Sequence, residues 1–395
     1  MHDRPVAHQR ALAPDLARGV MLLLIVIAHA PLWIVGADPG VGATHIAGGE
    51  TIDRLWRGVS LLLVDSRAYP LFAVLFGYGL ARVADRRRDA GLDDRMVRRS
   101  LRSRGRWLLA FGLAHGLLIS PVEILGAYGL IALLFAGLLL RGDRALVRVG
   151  WILAGVFLLV VPLAELALAR MTEEAAMSLG QLGYDIQAMI VRLASWLVAV
   201  VVNTAMYPIP LIVLIGVWAG RRRILEYPKD HRRLLQRVAF IGLPVSILGA
   251  LPLALAGAEL WPAGSHPLLT SLHTLTGVAG GLGYAALFGL FAIHRNRAAG
   301  PISQALVATG RRSLTCYLLQ STLLVVLLSQ TFFGLGGHVH SLGAGLLAIV
   351  AWAGGVAAAV ILEKTGRRGP ADALLRRLAD RHIRHRKEGT GPDME

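Results

Sequence analysis

Apolar runs of 18 or more residues recur along the whole of this 395-residue sequence, and they constrain its fold more than any other feature. As a helix, each run is long enough to cross a hydrocarbon layer about 30 Å thick. The runs are continuous and rich in Leu, Ala and Gly, unlike the alternating strands of a membrane β-barrel. With 55% hydrophobic residues, the chain could not hide its apolar surface as a water-soluble domain. The predicted fold class is all-α, a polytopic transmembrane helix bundle.

Ten of these runs are predicted to span the membrane. The spans are 16–36, 68–84, 105–120, 123–140, 148–168, 195–220, 238–257, 268–293, 305–330 and 342–363. Residues 51–65 form an amphipathic stretch before the second span, which we expect to lie at the outer surface. Asp65-Ser66-Arg67 and Pro70 are expected to break the helix between the two.

The predicted domain organisation is one transmembrane bundle, residues 1–367, followed by two short segments. Residues 368–387 are predicted to form a basic amphipathic helix that lies on an anionic inner leaflet. Its apolar face would consist of Ala371, Leu374, Leu375 and Leu378. Residues 388–395 are predicted to be a disordered tail.

Basic residues fall almost entirely in alternate connections between the spans. Of the 41 Lys and Arg residues, 35 lie in segments that the ten-span topology places on one side. The exceptions are Arg18, inside the first span, and Arg54, Arg57, Arg67, Arg170 and Arg192 on or near the other side. Because basic loops stay cytoplasmic, we expect a multi-pass protein of the bacterial cytoplasmic (inner) membrane with both termini inside.

The same distribution argues against nucleic-acid binding, although the net charge is +16, because the basic residues sit where topology requires them. A single cysteine, Cys316, excludes an internal disulfide framework and a multi-cysteine metal site. His338 and His340 have no acidic or cysteine neighbour, so no metal is predicted. Small-residue faces of the eighth and tenth spans would permit a homodimer, for example at Gly354 and Gly355.

The first span carries three ionisable residues, and each needs a reason because charge inside a membrane is costly. Asp15 and Arg18 are neighbours on one helix face near the cytoplasmic end. His29 lies eleven residues after Arg18, on the same face and about 16 Å further along the axis. A cytosolic anionic donor could be held at Arg18 while His29 assists acyl transfer. The structural alternative is an interfacial Asp15–Arg18 anchor with His29 as a satisfied core histidine.

A second candidate set joins the third and fourth spans. Only a short turn separates His115 from Glu123, so the two side chains could meet near the outer face, with Tyr128 one helical turn or so beyond. A carboxylate beside an imidazole fixes the tautomer and raises the basicity of the ring, as a general base requires. A buried pair that fixes the packing of the hairpin would use the same residues.

Five stretches carry motifs in chain order. They read D-L-A-R-G at 15–19, L-F-A-V-L-F-G-Y-G at 71–79, H-G with E-I-L-G-A-Y within 115–128, G-R-R-S-L-T-C-Y-L-L-Q-S at 310–321 and G-P-A-D at 369–372. As a set they resemble the YeiB-like family of bacterial integral membrane proteins. Four residues depart from the family pattern: His29 and Cys316 each replace Asn, Glu123 replaces Asp, and Asp372 replaces Glu. His29 at this distance from Arg18 is similar to the first helix of membrane acyltransferases that modify polysaccharides.

The resemblance implies an acyltransferase, because the family is grouped with transmembrane proteins that move acyl groups from cytosolic coenzyme A thioesters. Arg18 would hold donor phosphate or orient Asp15, His29 or His115 would be the general base, and Glu123 would orient His115. The expected partners are the lipid bilayer, an acyl-CoA and an unidentified acceptor. Arg86–Arg88 and Arg102–Arg106 would attract the donor, although topology alone also explains these basic residues.

Two other functions remain open at this point. A proton-coupled transporter or exporter could use His115 and Glu123 as a proton relay. A non-catalytic membrane partner subunit would need none of these side chains for chemistry.

Overall fold

The computed structural model describes residues 11–36, 38–41, 44–172, 179–261, 267–294 and 300–388, with side chains omitted for 170–172 and 382–388. Within these ranges the chain is all-α and forms no strand. The helices are α1 (Leu12–His29), α2 (Thr51–Leu63), α3 (Ala68–Asp89), α4 (Asp94–Leu118), α5 (Leu125–Phe135), α6 (Asp143–Thr172), α7 (Ile186–Ala205), α8 (Ile209–Arg221), α9 (Arg232–Gly257), α10 (Pro267–His294), α11 (Pro301–Arg311), α12 (Ser313–Leu328), α13 (Ser341–Lys364) and α14 (Pro370–Glu388). The all-α class predicted from the sequence is confirmed.

Seven segments among the described residues are long and apolar enough to cross a membrane: α1 with the turn that follows it, α2 with α3, and α6, α7, α9, α10 and α13. Three of the ten predicted spans fall short of that standard, and a fourth, 195–220, is divided between the second half of α7 and the short helix α8. The span at 105–120 lies in α4, whose first half is basic, and the span at 123–140 contains only the 11-residue helix α5. The span at 305–330 is divided into α11 and α12 at Arg312. Mean hydropathy along the sequence does not register such interruptions.

Helix starts follow local chemistry. Glu50 and Asp53 form a capping box at the start of α2, and the Asp185 carboxylate accepts a hydrogen bond from Ala188 N (2.8 Å) to open α7. Pro301 occupies the first turn of α11, where its missing N–H leaves no bond unmade. These caps satisfy the backbone N–H groups that every helix leaves free at its first turn.

The predicted break between residues 51–65 and the second span is confirmed. A turn at Val64–Arg67 joins α2 to α3, and Ser66 within it has a left-handed backbone (φ 56°). Ile52, Leu55 and Val59 on one face of α2 are exposed, whereas Asp53 and Arg57 are buried against the bundle. Helix α2 therefore turns its apolar face outward and packs its polar face against the bundle.

The basic segments meet at one end of the bundle, which we call the basic end. Ion pairs join the end of α3 to the loop after α8 (Arg82–Glu226, 2.7 Å) and the start of α6 to the end of α8 (Asp143–Arg221, 2.8 Å). Arg311 reaches the end of α13 through Glu363 (2.8 Å). The basic segments that alternate with apolar ones along the sequence thus lie together at one end of the helix bundle.

Three of the arginines at the opposite end are buried and bind backbone carbonyls. Arg192, with 0% of its surface exposed, donates to the carbonyls of Gly183, Ile119 and Leu182 at 3.1–3.2 Å. Arg57 donates to the carbonyl at the end of α9 and to those of residues 46 and 48. Arg67 donates to a carbonyl near the end of α2 and to that of residue 65. Three of the six exceptions to the charge asymmetry are therefore structural connectors.

The last helix packs against the bundle. Leu375 and Ala379 of α14 are buried, and α14 lies against α4, with Arg87 of α3 paired to Asp380. Leu374 on the same helix stays exposed. The expectation that this helix also lies on a lipid surface stays a prediction, and residues 389–395 of the predicted tail lie outside the described residues.

The glycines proposed as a dimer face are used within the chain. A Cβ on Gly354 would crowd Leu323, and one on Gly355 would contact Cys316, both on α12. Gly280 and Gly283 of α10 likewise face Ser246 and Leu243 of α9. Small residues here allow close packing between helices of one copy.

Replacing Arg192 by Ala should destabilise the protein by at least about 2 kcal/mol, because three buried carbonyls would lose their donor. Arg54→Ala is the matched control: it removes a cation at the same end whose side chain is 44% exposed and pairs with Glu259. Thermal unfolding in detergent micelles measures both. An equal loss of Tm in the two variants would contradict the structural role of Arg192.

Candidate functional site

A cavity of about 490 Å³ opens at the basic end, with walls from α1, α3, α4, α11, α12 and α14. Charged side chains line its mouth, and its depth is lined by aromatic rings: Phe72, Phe76, Tyr128 and Tyr317. Phe72 lies fourteen residues before Arg86 on α3, which is about 20 Å along the helix axis. The cavity therefore runs from a polar entrance well into the apolar layer.

Positive charge dominates the lining. Seven arginines and four carboxylates contribute to it: Arg18, Arg82, Arg86, Arg87, Arg104, Arg311 and Arg376 against Asp15, Glu226, Asp372 and Asp380. Three carboxylates are engaged by lining arginines, and the fourth, Asp372, binds backbone N–H groups. An excess of cations around a partly enclosed space favours an anionic ligand.

Close packing between α1 and α11 places Asp15 and Arg18 in the wall. A side chain at Gly19 would clash with the carbonyl of Leu306, and one at Gly310 would clash with the carbonyl of Asp15. The Arg18 guanidinium donates to Asp15 Oδ1 (3.2 Å) and to the carbonyl of Leu75 (3.4 Å). The predicted neighbours on the first helix are thus confirmed as a pair, and both face the cavity.

Arg104 stands out among the basic residues. Within the described part of the chain, its guanidinium makes no ion pair or hydrogen bond at contact distance, although Arg18 and Arg87 and the carboxylates of Asp372 and Asp380 lie within electrostatic range. Arg104 thus adds to the wall a positive charge that no direct contact neutralises, and an anion beside it would be stabilised. Of the basic segments singled out from the sequence, Arg86, Arg87 and Arg104 line the cavity, whereas Arg88 pairs with Asp94 outside it.

His115 lies just beyond the aromatic floor. Its ring stacks on Tyr317 with centroids 5.2 Å apart, and its surface is 2% exposed. Nδ1 is 3.1 Å from the carbonyl oxygen of Ser120, which can only accept, so Nδ1 carries the proton. Nε2 is buried without a hydrogen-bond partner and therefore presents a free lone pair.

The expected pairing of Glu123 with His115 is wrong. The Glu123 carboxylate accepts hydrogen bonds from Trp196 Nε1 (2.7 Å) and from the backbone N–H groups of Leu125 and Gly126. His115 binds the Ser120 carbonyl through Nδ1, and its Nε2 has no hydrogen-bond partner, so neither nitrogen binds Glu123. The short turn between α4 and α5 lets Glu123 cap the start of α5, a closer partner that the spacing argument overlooked.

His29 lies at the end of α1, near the opposite end of the bundle. Its Nδ1 is 2.6 Å from the carbonyl oxygen of Ile25, so Nε2 again has the lone pair. The side chain is partly exposed and within electrostatic range of His115. The structure thus brings the two histidines towards each other, while Arg18 lies towards the basic end.

Sequence reasoning missed the role of Asp372. Its carboxylate accepts from the backbone N–H of Thr315 (3.0 Å) and from Thr315 Oγ1 (2.7 Å), so it caps α12 from another helix. The two partners lie in the motifs L-T-C-Y at 314–317 and G-P-A-D at 369–372, 57 residues apart, so no local sequence pattern indicated their contact. This contact fixes α14 as one wall of the cavity.

Comparison with known proteins finds a family and a bacterial relative. Residues 219–382, less than half of the chain, match a family model described as "Protein of unknown function (DUF418)". The chain is also similar to the uncharacterized protein YxaH of Bacillus subtilis (strain 168), at 24% identity over 337 residues that cover 79% of each chain. The family match contains the cavity walls from α11, α12 and α14, and it excludes Arg18, His29 and His115.

Gly310→Ala should displace α1 from α11, because the added methyl group would overlap the Asp15 carbonyl, and overpacking of this kind costs about 1–3 kcal/mol. Gly155→Ala on α6 is the control, since a Cβ there meets nothing within 4 Å. Thermal unfolding should distinguish the two variants. Unchanged stability of Gly310→Ala would show that the helices are not in such close contact.

Proposed function

We propose that the chain is a YeiB-like acyltransferase of the bacterial cytoplasmic membrane, with ten crossings and both termini in the cytoplasm. It binds an acyl-CoA from the cytoplasm in the arginine-lined cavity and transfers the acyl group to an acceptor at or across the membrane. The observation that carries the proposal is the cavity itself, which joins a cationic entrance to an aromatic floor, and one ring of that floor, Tyr317, stacks on the buried His115.

The lining suits the two halves of such a donor. Phosphate groups would bind the guanidinium groups of Arg18 and Arg104, since planar guanidinium forks bind phosphate oxygens in pairs. The less polar arm that carries the thioester would extend past Phe76 towards Tyr128 and Tyr317. The length of the cavity along α3 separates the two ends in the way that an extended donor requires.

His115 is the general base of this proposal. Its Nε2 accepts the proton of the acceptor hydroxyl as that oxygen bonds to the thioester carbonyl carbon. The carbon–sulfur bond then breaks, and the leaving thiolate takes the proton back from the imidazolium. The Ser120 carbonyl holds the required tautomer, so Glu123 is needed only for the α4–α5–α7 junction.

His29 supports the same reaction from the acceptor side. It is separated from Arg18 by about 16 Å along α1, and its free Nε2 can orient the acceptor hydroxyl. His115 is preferred as the base because it stacks on a residue of the cavity lining, whereas His29 lies at the far end of α1.

Coenzyme A should bind the detergent-purified protein saturably, and Arg104→Gln should weaken binding roughly tenfold or more, since hydrogen bonds to charged groups are worth about 1.5–3 kcal/mol. Arg233→Gln, an exposed residue at the same end but outside the cavity, should bind within twofold of the wild type, roughly as surface charges contribute. Isothermal titration calorimetry gives both values.

Absence of coenzyme A binding in well-folded protein would overturn the acyl-transfer proposal. Equal weakening by Arg104→Gln and Arg233→Gln would instead show that the attraction is a property of the whole basic end. Repeating the titration at higher ionic strength distinguishes binding inside the cavity from attraction by the whole basic end, because exposed charges are screened more strongly than partly enclosed ones.

His115→Gln should lower transfer of radiolabelled acetyl groups from acetyl-CoA to membrane material by roughly 10²–10⁴-fold, the usual contribution of a general base. Coenzyme A binding should be unchanged, because the side chain lies beyond the phosphate-binding arginines. His338→Gln, an exposed histidine at the opposite end, is the control. Full transfer activity in His115→Gln would exclude this residue as the base.

A further inference from the structure

A second concave site lies on the side of the bundle, between α1, α10 and α11. It is an open groove of about 910 Å³, within the size range of ligand pockets. Its walls are formed by Leu16, Val20 and Leu24 of α1, Leu287 and Phe291 of α10, and Leu306 of α11. Apart from its two ends the lining is apolar, so a water-soluble ligand would find almost nothing to bind.

The groove and the arginine-lined cavity share α1 as a partition. Leu16, Val20 and Leu24 are spaced four residues apart and face the groove, whereas Asp15 and Arg18 face the cavity. The close approach of Gly19 to the Leu306 carbonyl seals the wall between them. The groove is therefore a separate site with its own opening towards the surrounding lipid.

The length of the groove matches one leaflet. On α10 it extends from Tyr284 to His294, ten residues or about 15 Å, half of a hydrocarbon layer about 30 Å thick. At the end of the groove that lies at mid-depth, the Tyr284 hydroxyl donates to the carbonyl of Leu63 (2.8 Å). His294 and Ser303 are the polar residues at the other limit, at the basic end.

We propose that this groove binds one acyl chain of an anionic phospholipid from the leaflet at the basic end, with the headgroup beside His294 and Ser303. A partner helix is a poorer fit, because a spanning helix crosses both leaflets and the groove ends at mid-depth. The cationic segments of the basic end attract an anionic headgroup to this position. The site does not depend on the proposed acyl transfer.

The test is photolabelling in nanodiscs with phosphatidylglycerol that carries a diazirine in its acyl chain. Labelled peptides, mapped by mass spectrometry, should come from 287–291 and 302–306 in preference to the exposed face of α6, which is equally apolar and lipid-facing around Leu159. Leu287→Trp fills the groove and should reduce labelling of 302–306 by roughly fivefold, since the chain loses its apolar contacts. Leu159→Trp is the control and should leave that labelling unchanged.

Labelling spread evenly over the groove and α6 would overturn the proposal. So would unchanged labelling in Leu287→Trp, with Val20→Phe as a second groove variant if the first does not fold. Phosphatidylcholine with the same diazirine chain tests the headgroup, and equal labelling by it would show that charge plays no part. Coenzyme A binding should stay intact in Leu287→Trp, so failure here leaves the function of the cavity a separate question.

Discussion

The structure depends on one constraint: a polar group placed away from water must find a partner inside the chain. At the end opposite the basic one, Arg57, Arg67 and Arg192 meet this requirement by binding carbonyls that helix ends and loops leave free. The loops there are thereby tied to each other without a disulfide or a sheet. At the basic end the same requirement is met by ion pairs between arginines and carboxylates, and Arg104, which joins none of these pairs, adds positive charge to the cavity wall.

The candidate site follows from how closely two helices approach. Gly19 and Gly310 let the backbones of α1 and α11 touch, and this contact turns Asp15 and Arg18 towards the cavity while the Leu16–Leu24 face stays on the lipid side. One helix thus serves two chemically different surfaces. The aromatic floor lies at the depth where α3, α5 and α12 converge, and His115 stacks on it from behind.

Periodicity and charge could predict much of this fold. Long apolar runs gave the all-α class, and the alternation of arginines indicated which loops share an end. The prolines at 208 and 210 indicated the break between α7 and α8, whereas the break at Arg312 was harder, because a window of hydropathy averages over it. The contact predicted across the turn between α4 and α5 was also wrong. Glu123 binds N–H groups at the start of α5 and the indole of Trp196, and it does not bind His115. The cap on α12 by Asp372 joins residues 57 positions apart, which local patterns do not reveal.

The wall that α14 supplies has a consequence for biogenesis. The cavity takes residues from α1 and from α14, and the α14 residues leave the ribosome more than 350 residues after those of α1. Helices can insert one after another during synthesis, yet Arg376 and Asp380 can take their places only after translation has passed them. The site is therefore completed late, and until then the cationic cleft stays open on the side that α14 closes.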